Sequence, residues 1–396
     1  MTDVLAEDTR APSRGAADGF AAQIEAFFGQ GRCFLLAKGR VGLYAGLRAM
    51  NLPRDAGVVM PGYTCMVVPS AVQLAGLKPV YVDIHPETYN LDPALLDAER
   101  HDDVAAIIVQ HTYGIPCEME PIESWAQARG VPIIEDCCHT FGVRYGGRLC
   151  GTLGAFSFMS GQWNKPFSTG LGGILLVNDA GLAEAVERLV RAEAVSPGRF
   201  RNLVLKLQIL AHQALVRPST AGLVMRLYRW LTRRGLAIGS STRGELVGEV
   251  PRSYFATMAP CQVRRGLREM VRIDENIRHR RQRTAYYHQR LSQLGFAPLG
   301  VPEAEELPLL RYPVRVANKE EVLRRAERAG VEIGSWFEVP LHPAGTRMED
   351  YGYREGCCPH AETAARQAVN LPTHLKVDPS TADRTLDFLA KHARPA

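Results

Sequence analysis

Three short stretches carry residue types that could do chemistry. The first is FSFMSGQWNKPFSTGLGGILLVND, residues 156–179, which holds Lys165 between two apolar runs. The chain has only seven lysines. Lys206, Lys319 and Lys391 are expected on polar helix faces, whereas Lys165 is flanked by Pro166 and by glycines at 161, 170, 172 and 173. An ammonium in such an apolar, glycine-rich connection is open to desolvation and a lowered pKa. Only the neutral amine attacks a carbonyl to form a Schiff base. The second stretch is PIIEDCCHTFG, residues 132–142. Asp136 falls at the carboxyl end of a β-branched run, where ligands of open α/β sheets bind. A carboxylate there can pair with a protonated pyridine nitrogen and keep such a ring an effective electron sink. The third is Gly39, which opens GRVGLYAGLRAM. Backbone N–H groups at a helix N-terminus bind phosphate, and Arg40 could add a forked, charged contact. Each feature has a bland counterpart: a surface lysine, an N-cap or structural ion pair, a glycine turn beside a solvent-facing arginine.

The elements that must position these residues follow from periodicity. Residues 1–18 read as a frayed arm, and a helix is expected to start near Phe20. Cys33–Ala37 is a short apolar run, and Gly39–Met50 has helical spacing. Strands are expected at Gly57–Met60, Pro79–Ile84, Val104–Gln110, Pro132–Asp136, Ala155–Met159 and Gly173–Val177, with helices at Cys65–Ala75 and Met119–Arg129. Strands alternating with helices imply a mostly parallel sheet covered on both faces. From Ala259 one long charged helical pattern runs through Arg290. A strand follows at Leu309–Val316, a helix at Lys319–Ala329, a short strand at Val331–Ile333 and a last helix at Ser380–Lys391. The expected division is an N-terminal arm over 1–29, a large α/β domain over 30–250, and a long helix with a smaller α+β lobe over 251–396. Residues 196–250 break the alternation. This apolar, arginine-studded insertion reads first as helices packed on their own protein or a partner subunit. Contact of 203–239 with a membrane surface is the lesser reading.

A chain of 396 residues exceeds the roughly 250–300 at which single cores stop growing. The net charge of +5 is modest, does not argue for nucleic acid, and suits an anionic small molecule equally well. Nine cysteines without CxxC or zinc-type spacing read as thiols in a reducing cytosol, with no metal site. The N-terminus lacks a signal-peptide core, and no apolar run approaches the ~20 residues needed to span a bilayer. A cytoplasmic enzyme is expected. The run Gly170-Leu171-Gly172-Gly173 precedes a strand rather than a helix, which excludes a dinucleotide fingerprint.

A phosphate cradle, then an aspartate at a strand end, then a lysine in a later inter-strand loop is the order of fold-type-I pyridoxal-phosphate enzymes. The ordered motifs MPGYTC, AGLKPVYVDIHPETYN, QHTYGIP, IIEDCCHTFG, the Lys-x4-Gly-x-Gly-Gly pattern from Lys165, VPLHP and NLPTH resemble the DegT/StrS family of sugar aminotransferases over nearly the whole chain. The resemblance implies that Lys165 carries pyridoxal 5'-phosphate as a Schiff base and moves protons. Asp136 matches the partner of the pyridine nitrogen, and His139 a polar residue beside the ring oxygen. Gly39, Arg40 and Val41 match a Gly-Thr-type phosphate loop. A serine before the lysine usually also holds the phosphate, and either Ser157 or Ser160 can serve. His342 would line the acceptor pocket from the small lobe. The implied reaction moves an amino group from glutamate or glutamine to a keto sugar, nucleotide-linked, in a homodimer. A cyclitol ketone is the alternative acceptor, and a regulator or scaffold that kept the fold is the non-enzymatic alternative.

Some positions depart from the family pattern. Arg40 replaces a threonine, Cys65 stands where an aromatic residue usually stacks on the ring, and RSYFATMAP occupies the place of a Gly-x-Asn loop from the partner subunit. The family's dehydratases have histidine at the lysine position, which Lys165 excludes. Cys357-Cys358 is a weak match to the mobile cysteine loop of a desulfurase.

Overall fold

Apolar strands with no polar face decide the architecture. The computed structural model describes residues 14–97, 103–215 and 254–396, with scattered positions between 224 and 239. The expected arm lies partly outside these residues, as does much of the insertion. In chain order the first elements are α1 (Arg14–Phe28), β1 (Arg32–Leu36), α2 (Gly39–Met50), β2 (Gly57–Pro61), β3 (Thr64–Cys65), α3 (Val67–Leu74), β4 (Lys78–Val82), β5 (Val104–Gln110), α4 (Met119–Arg129) and β6 (Ile133–Asp136). A small hairpin, β7 (Arg144–Tyr145) and β8 (Arg148–Leu149), precedes β9 (Phe156–Gln162), β10 (Leu171–Val177), α5 (Ala180–Glu193) and α6 (Arg199–Leu215). Then come α7 (Pro260–Val271), α8 (Ile273–Gln293), β11 (Arg311–Arg315), α9 (Lys319–Ala329), β12 (Leu341–His342), α10 (Pro359–Gln367), β13 (Ala368–Pro372) and α11 (Pro379–His392).

Seven strands form one sheet in the order β1-β10-β9-β6-β5-β2-β4. The pairs from β9 to β4 are parallel, while β10 runs antiparallel to both β9 and β1. This is the mostly parallel α/β sheet expected of a fold-type-I transferase. Side chains along β5 alternate between two cores. Ala106 and Ile108 join α2 and α3, whereas Ile107 and Val109 join α4. Helices must cover both faces, because apolar strands leave neither for water. Phe156 on β9 is fully buried, worth about 1.5–3 kcal/mol over exposure. A Cβ on Gly46 of α2 would lie 2.4 Å from its ring, so glycine is what lets this helix close on the strand. Phe20, Ile24 and Phe28 of α1 cover Met159 and Leu176 on the opposite face.

The C-terminal elements pack as a smaller layer around the antiparallel pair β11–β13. Two contacts bring it against the carboxyl edge of the main sheet, and a third ties it to α8. Strand β12 pairs in parallel with β3, setting His342 opposite Cys65. Asp83, just past β4, accepts from the backbone N–H groups of His360 (2.8 Å) and Ala361 (2.9 Å) and so caps α10. Buried Arg280 of α8 donates to the carbonyls of Leu309 and Leu310 and to the Thr373 hydroxyl.

Several boundaries differ from the periodicity reading. Helix α1 begins at Arg14 rather than near Phe20. The long pattern from Ala259 is two helices, broken at Arg272 with φ −107° and ψ 8°. Asp274 and Glu275 then open α8, where carboxylates suit the positive end of a helix, and Arg272 pairs with Glu275 at 3.0 Å. The segment Val331–Ile333 is not a strand; Gly334 alone bridges to Asn370. Thr64–Cys65 extends toward β12 before the helix that starts at Val67.

Candidate active site

Strand β6 ends at Asp136, which is 4% exposed. One of its carboxylate oxygens accepts from the backbone N–H of Cys138 at 2.9 Å. Burial pushes the Asp136 carboxyl above its ordinary value, against the Cys138 N–H and the Lys165 ammonium, which both hold it down. A buried carboxylate of this kind is stabilised by a cationic partner. His139 follows in the same turn. Its Nδ1 accepts from the backbone N–H of Tyr113 at 3.1 Å. Burial, with the charges of Lys165, His342 and Arg311, drives its pKa well below the ordinary value, so the ring is neutral and protonated on Nε2.

Lys165 sits in the turn between β9 and β10, anchored by its backbone N–H to the Gln162 carbonyl at 3.0 Å. Its Nζ lies 4.4 Å from the centroid of Trp336. That indole, delivered by the smaller layer, stacks on His139 with centroids 5.2 Å apart and planes at 24°. The Trp336 Nε1–H donates to Nε2 of His342 at 3.0 Å. An indole nitrogen can only donate, so the proton of neutral His342 resides on Nδ1. Burial, with Lys165 and Lys319, pulls the His342 pKa down to about 4 although Glu338 opposes it. Its Nδ1 is buried without a hydrogen bond, with the Glu338 carboxylate 3.9 Å away. Tyr113, Tyr63 and Phe337 wall the site; the Tyr63 and Tyr113 hydroxyls are 2.8 Å apart, and the Tyr113 hydroxyl donates to the Trp336 carbonyl.

The N-terminus of α2 abuts the same edge. A Cβ on Gly39 would lie 2.9 Å from the Met159 carbonyl oxygen and 3.2 Å from the Ser160 Cα. No side chain caps this helix at Lys38. Strand alternation separates the two candidate serines. Phe156 and Phe158 face α2, so Ser160 does as well. Ser157 shares its face with Met159, on the α1 side. Ser157 is fully buried there and donates to the Gly151 carbonyl at 2.9 Å. Val41 points into the core, and its N–H bonds the Lys38 carbonyl. The charge of Arg40 is felt at Tyr351 in the smaller layer. The structure therefore gathers Asp136, His139, Lys165, Cys65 and His342 at the sheet's carboxyl edge, with Gly39 and Ser160 beside them and Ser157 on the other face.

Sequence reasoning did not single out Trp336, Arg311 or Tyr113. Tyr113 lay within the QHTYGIP motif without a role; nothing near Trp336 or Arg311 signalled one. Among the described residues, His111, Glu135 and Cys137 are close enough to suggest a metal. Their atoms are committed elsewhere. Glu135 accepts from the N–H groups of Gly151, Leu153 and Gly154 and meets His111 Nε2 at 3.1 Å, while His111 Nδ1 accepts from Cys117. This network pins the turn that leads into β9.

These residues fit an anionic, electron-poor aromatic cofactor. They offer a buried carboxylate, a lysine within its field, a neutral imidazole, and a glycine cradle at a helix N-terminus. The model of the DegT/DnrJ/EryC1/StrS aminotransferase family matches residues 12–390. The chain belongs to this family. One relative of this aminotransferase, the UDP-2-acetamido-2-deoxy-3-oxo-D-glucuronate aminotransferase of Pseudomonas aeruginosa, is 27% identical over 89% of the chain and 84% of its own length. The L-glutamine:scyllo-inosose aminotransferase of Streptomyces griseus is 28% identical over 82% of the chain and 81% of its own. The crystal structure of S. venezuelae DesV superposes with a TM-score of 0.75 at 21% identity, covering 98% of this aminotransferase and 92% of DesV; at that identity the likeness concerns the fold.

Proposed function

We propose that this aminotransferase holds pyridoxal 5'-phosphate on Lys165 and transfers an amino group from glutamate or glutamine to a nucleotide-linked keto sugar. The observation that carries the reading is the convergence of Lys165, Asp136 and His139 on one edge with the Gly39 and Ser160 cradle beside them. When bound, the cofactor supplies the electron sink and carries the amino group. Asp136 keeps a proton on the ring nitrogen, because a buried carboxylate gains most from a cation next to it. His139 presents Nε2–H toward the ring oxygen. The α2 N-terminus and the Ser160 hydroxyl hold the phosphate. Lys165 Nζ is the group placed to take and return protons at the reacting carbon. His342 accepts from the Trp336 indole N–H and so fixes the aromatic wall against which the acceptor is proposed to lie. The aromatic wall of Tyr63, Tyr113, Trp336 and Phe337 keeps water away from these groups.

A keto-cyclitol is the second acceptor class, supported by the relationship to the scyllo-inosose enzyme. We take the active species to be a homodimer in the cytoplasm; no disulfide joins any of the nine cysteines, which suits a reducing compartment. The test is a pair of half-reactions followed by the change in cofactor absorbance. L-glutamate or L-glutamine should convert the enzyme to its amino form, and one member of a panel of nucleotide-linked keto sugars and keto-cyclitols should convert it back. Failure of every acceptor would refute the substrate reading.

A further inference from the structure

Helix α6 is apolar on both sides. Leu205 and Ile209 turn inward and are buried against Leu171, Ala259 and Cys261. Phe200, Leu203, Leu207 and Leu210 recur at helical spacing on the opposite side and are exposed, Phe200 to 79% and Leu207 to 57%. Of the nine large apolar side chains that stand most exposed among the described residues, eight fall between Val195 and Trp230. Soluble surfaces rarely concentrate apolar side chains in this way, and such a patch marks an interaction site.

Charge indicates what covers it. Arg199 and Lys206 border the apolar stripe on one side. In sequence, residues 195–253 hold ten Lys or Arg and two Asp or Glu, a net of +8. The whole chain is +5, which leaves −3 for everything else. The basic excess therefore lies in the stretch of sequence that carries the apolar helix. Pairing this face with itself across a two-fold axis would bring two +8 segments together, since such an interface is isologous. Leucine and phenylalanine on one face with lysine and arginine at its borders is the composition of helices that lie in a lipid interface. No helix among the described residues is long and apolar enough to cross a membrane.

We propose that the outer face of α6, with Arg199 and Lys206 at its border, docks on an anionic lipid surface. The contact is peripheral, with the apolar stripe in the headgroup region and the basic residues on acidic lipids. His212 of α6 stacks on Trp163, 4.3 Å between centroids and 17° between planes, just before Lys165. Docking thus holds the lysine loop close to the bilayer.

The test is co-sedimentation of the full chain with vesicles of phosphatidylcholine alone or mixed with phosphatidylglycerol. Binding to the mixed vesicles only, released by salt, is expected, each bound basic residue contributing about fivefold. The pair Leu203→Glu and Leu207→Glu, both exposed, should leave the melting temperature unchanged and lower vesicle binding by roughly tenfold or more per substitution. The proposal is overturned if neither vesicle binds the protein or if the double variant binds as well as the parent. It is equally overturned if the double variant dissociates a dimer in sedimentation, because the face would then join copies of this chain. Vesicle binding needs no substrate, so its outcome is independent of the proposed transamination.

Discussion

Replacing Gly173 by alanine tests whether the β10–α2 approach builds the phosphate cradle. An added Cβ would stand 2.1 Å from the carbonyl carbon of Lys38, 2.2 Å from its oxygen and 2.4 Å from the nitrogen of Gly39. All three are backbone atoms, so no side chain can rotate away. Gly173 pairs with Leu36 on one side and Ser160 on the other, which prevents β10 from yielding. The Lys38–Gly39 turn must instead retreat by about 1 Å or more to reach ordinary contact. Overpacking of this kind costs about 1–3 kcal/mol. A phosphate contact moved by about 1 Å out of hydrogen-bond reach loses its charge-assisted bond, worth about 1.5–3 kcal/mol. We therefore expect the cofactor dissociation constant of Gly173→Ala to rise about 10- to 150-fold, the worth of one lost charge-assisted phosphate contact, with a melting temperature lower by a few degrees. Titrating cofactor into the apo protein by visible absorbance measures the first, and thermal unfolding the second. Gly19→Ala is the control, since no atom lies within 4 Å of its added Cβ. Wild-type affinity and melting in Gly173→Ala would refute the argument that this close approach shapes the site.

Other outcomes follow from the same geometry. Ser160→Ala should weaken cofactor binding by about 10- to 150-fold, the worth of a charge-assisted hydrogen bond. Ser157→Ala should leave that constant unchanged and cost only stability through its lost bond to Gly151; cofactor titration of both variants decides between the serines. His342→Ala should raise KM for the amino acceptor while the donor half-reaction proceeds at the parent rate, read by stopped-flow absorbance. Acid should weaken the fold between pH 6.5 and about 4. His342 and His139 have folded pKa values below the unfolded one, so the unfolded chain takes up protons first as pH falls. Their stabilising contribution is complete above about pH 6.5 and declines by about 1.4 kcal/mol per pH unit for each histidine below it. Urea unfolding of the His139→Gln, His342→Gln double variant should show a shallower pH dependence than the parent.

Much of the sheet was legible because its strands are short apolar runs set between helices. Gly39–Met50 forms the helix its spacing predicts, and Val104–Gln110 and Met119–Arg129 hold their bounds. Lys165 and Asp136 were singled out by residue type together with the order of the motifs, since neither residue was decisive alone. The site's other wall was not. Trp336 reaches His139 only because β12 pairs with β3, a contact between residues far apart in sequence that no local period encodes. The choice between Ser157 and Ser160 depended on which face of β9 turns toward α2. The alternation from Phe156 and Phe158 contains that answer once the partner layer is known. The insertion that holds α6 was visible as an apolar, arginine-studded stretch, but composition does not say which side of a helix meets the protein.

The most direct measurement of the central claim is where the cofactor attaches. Borohydride fixes a carbonyl cofactor covalently to the amine that holds it, and peptide mass mapping then locates the label. The account predicts a pyridoxyl group on the peptide containing Lys165, with no label and no visible absorbance band in Lys165→Ala. A label on any of the other six lysines, or an unlabelled chain from a preparation that retains bound cofactor, would contradict it.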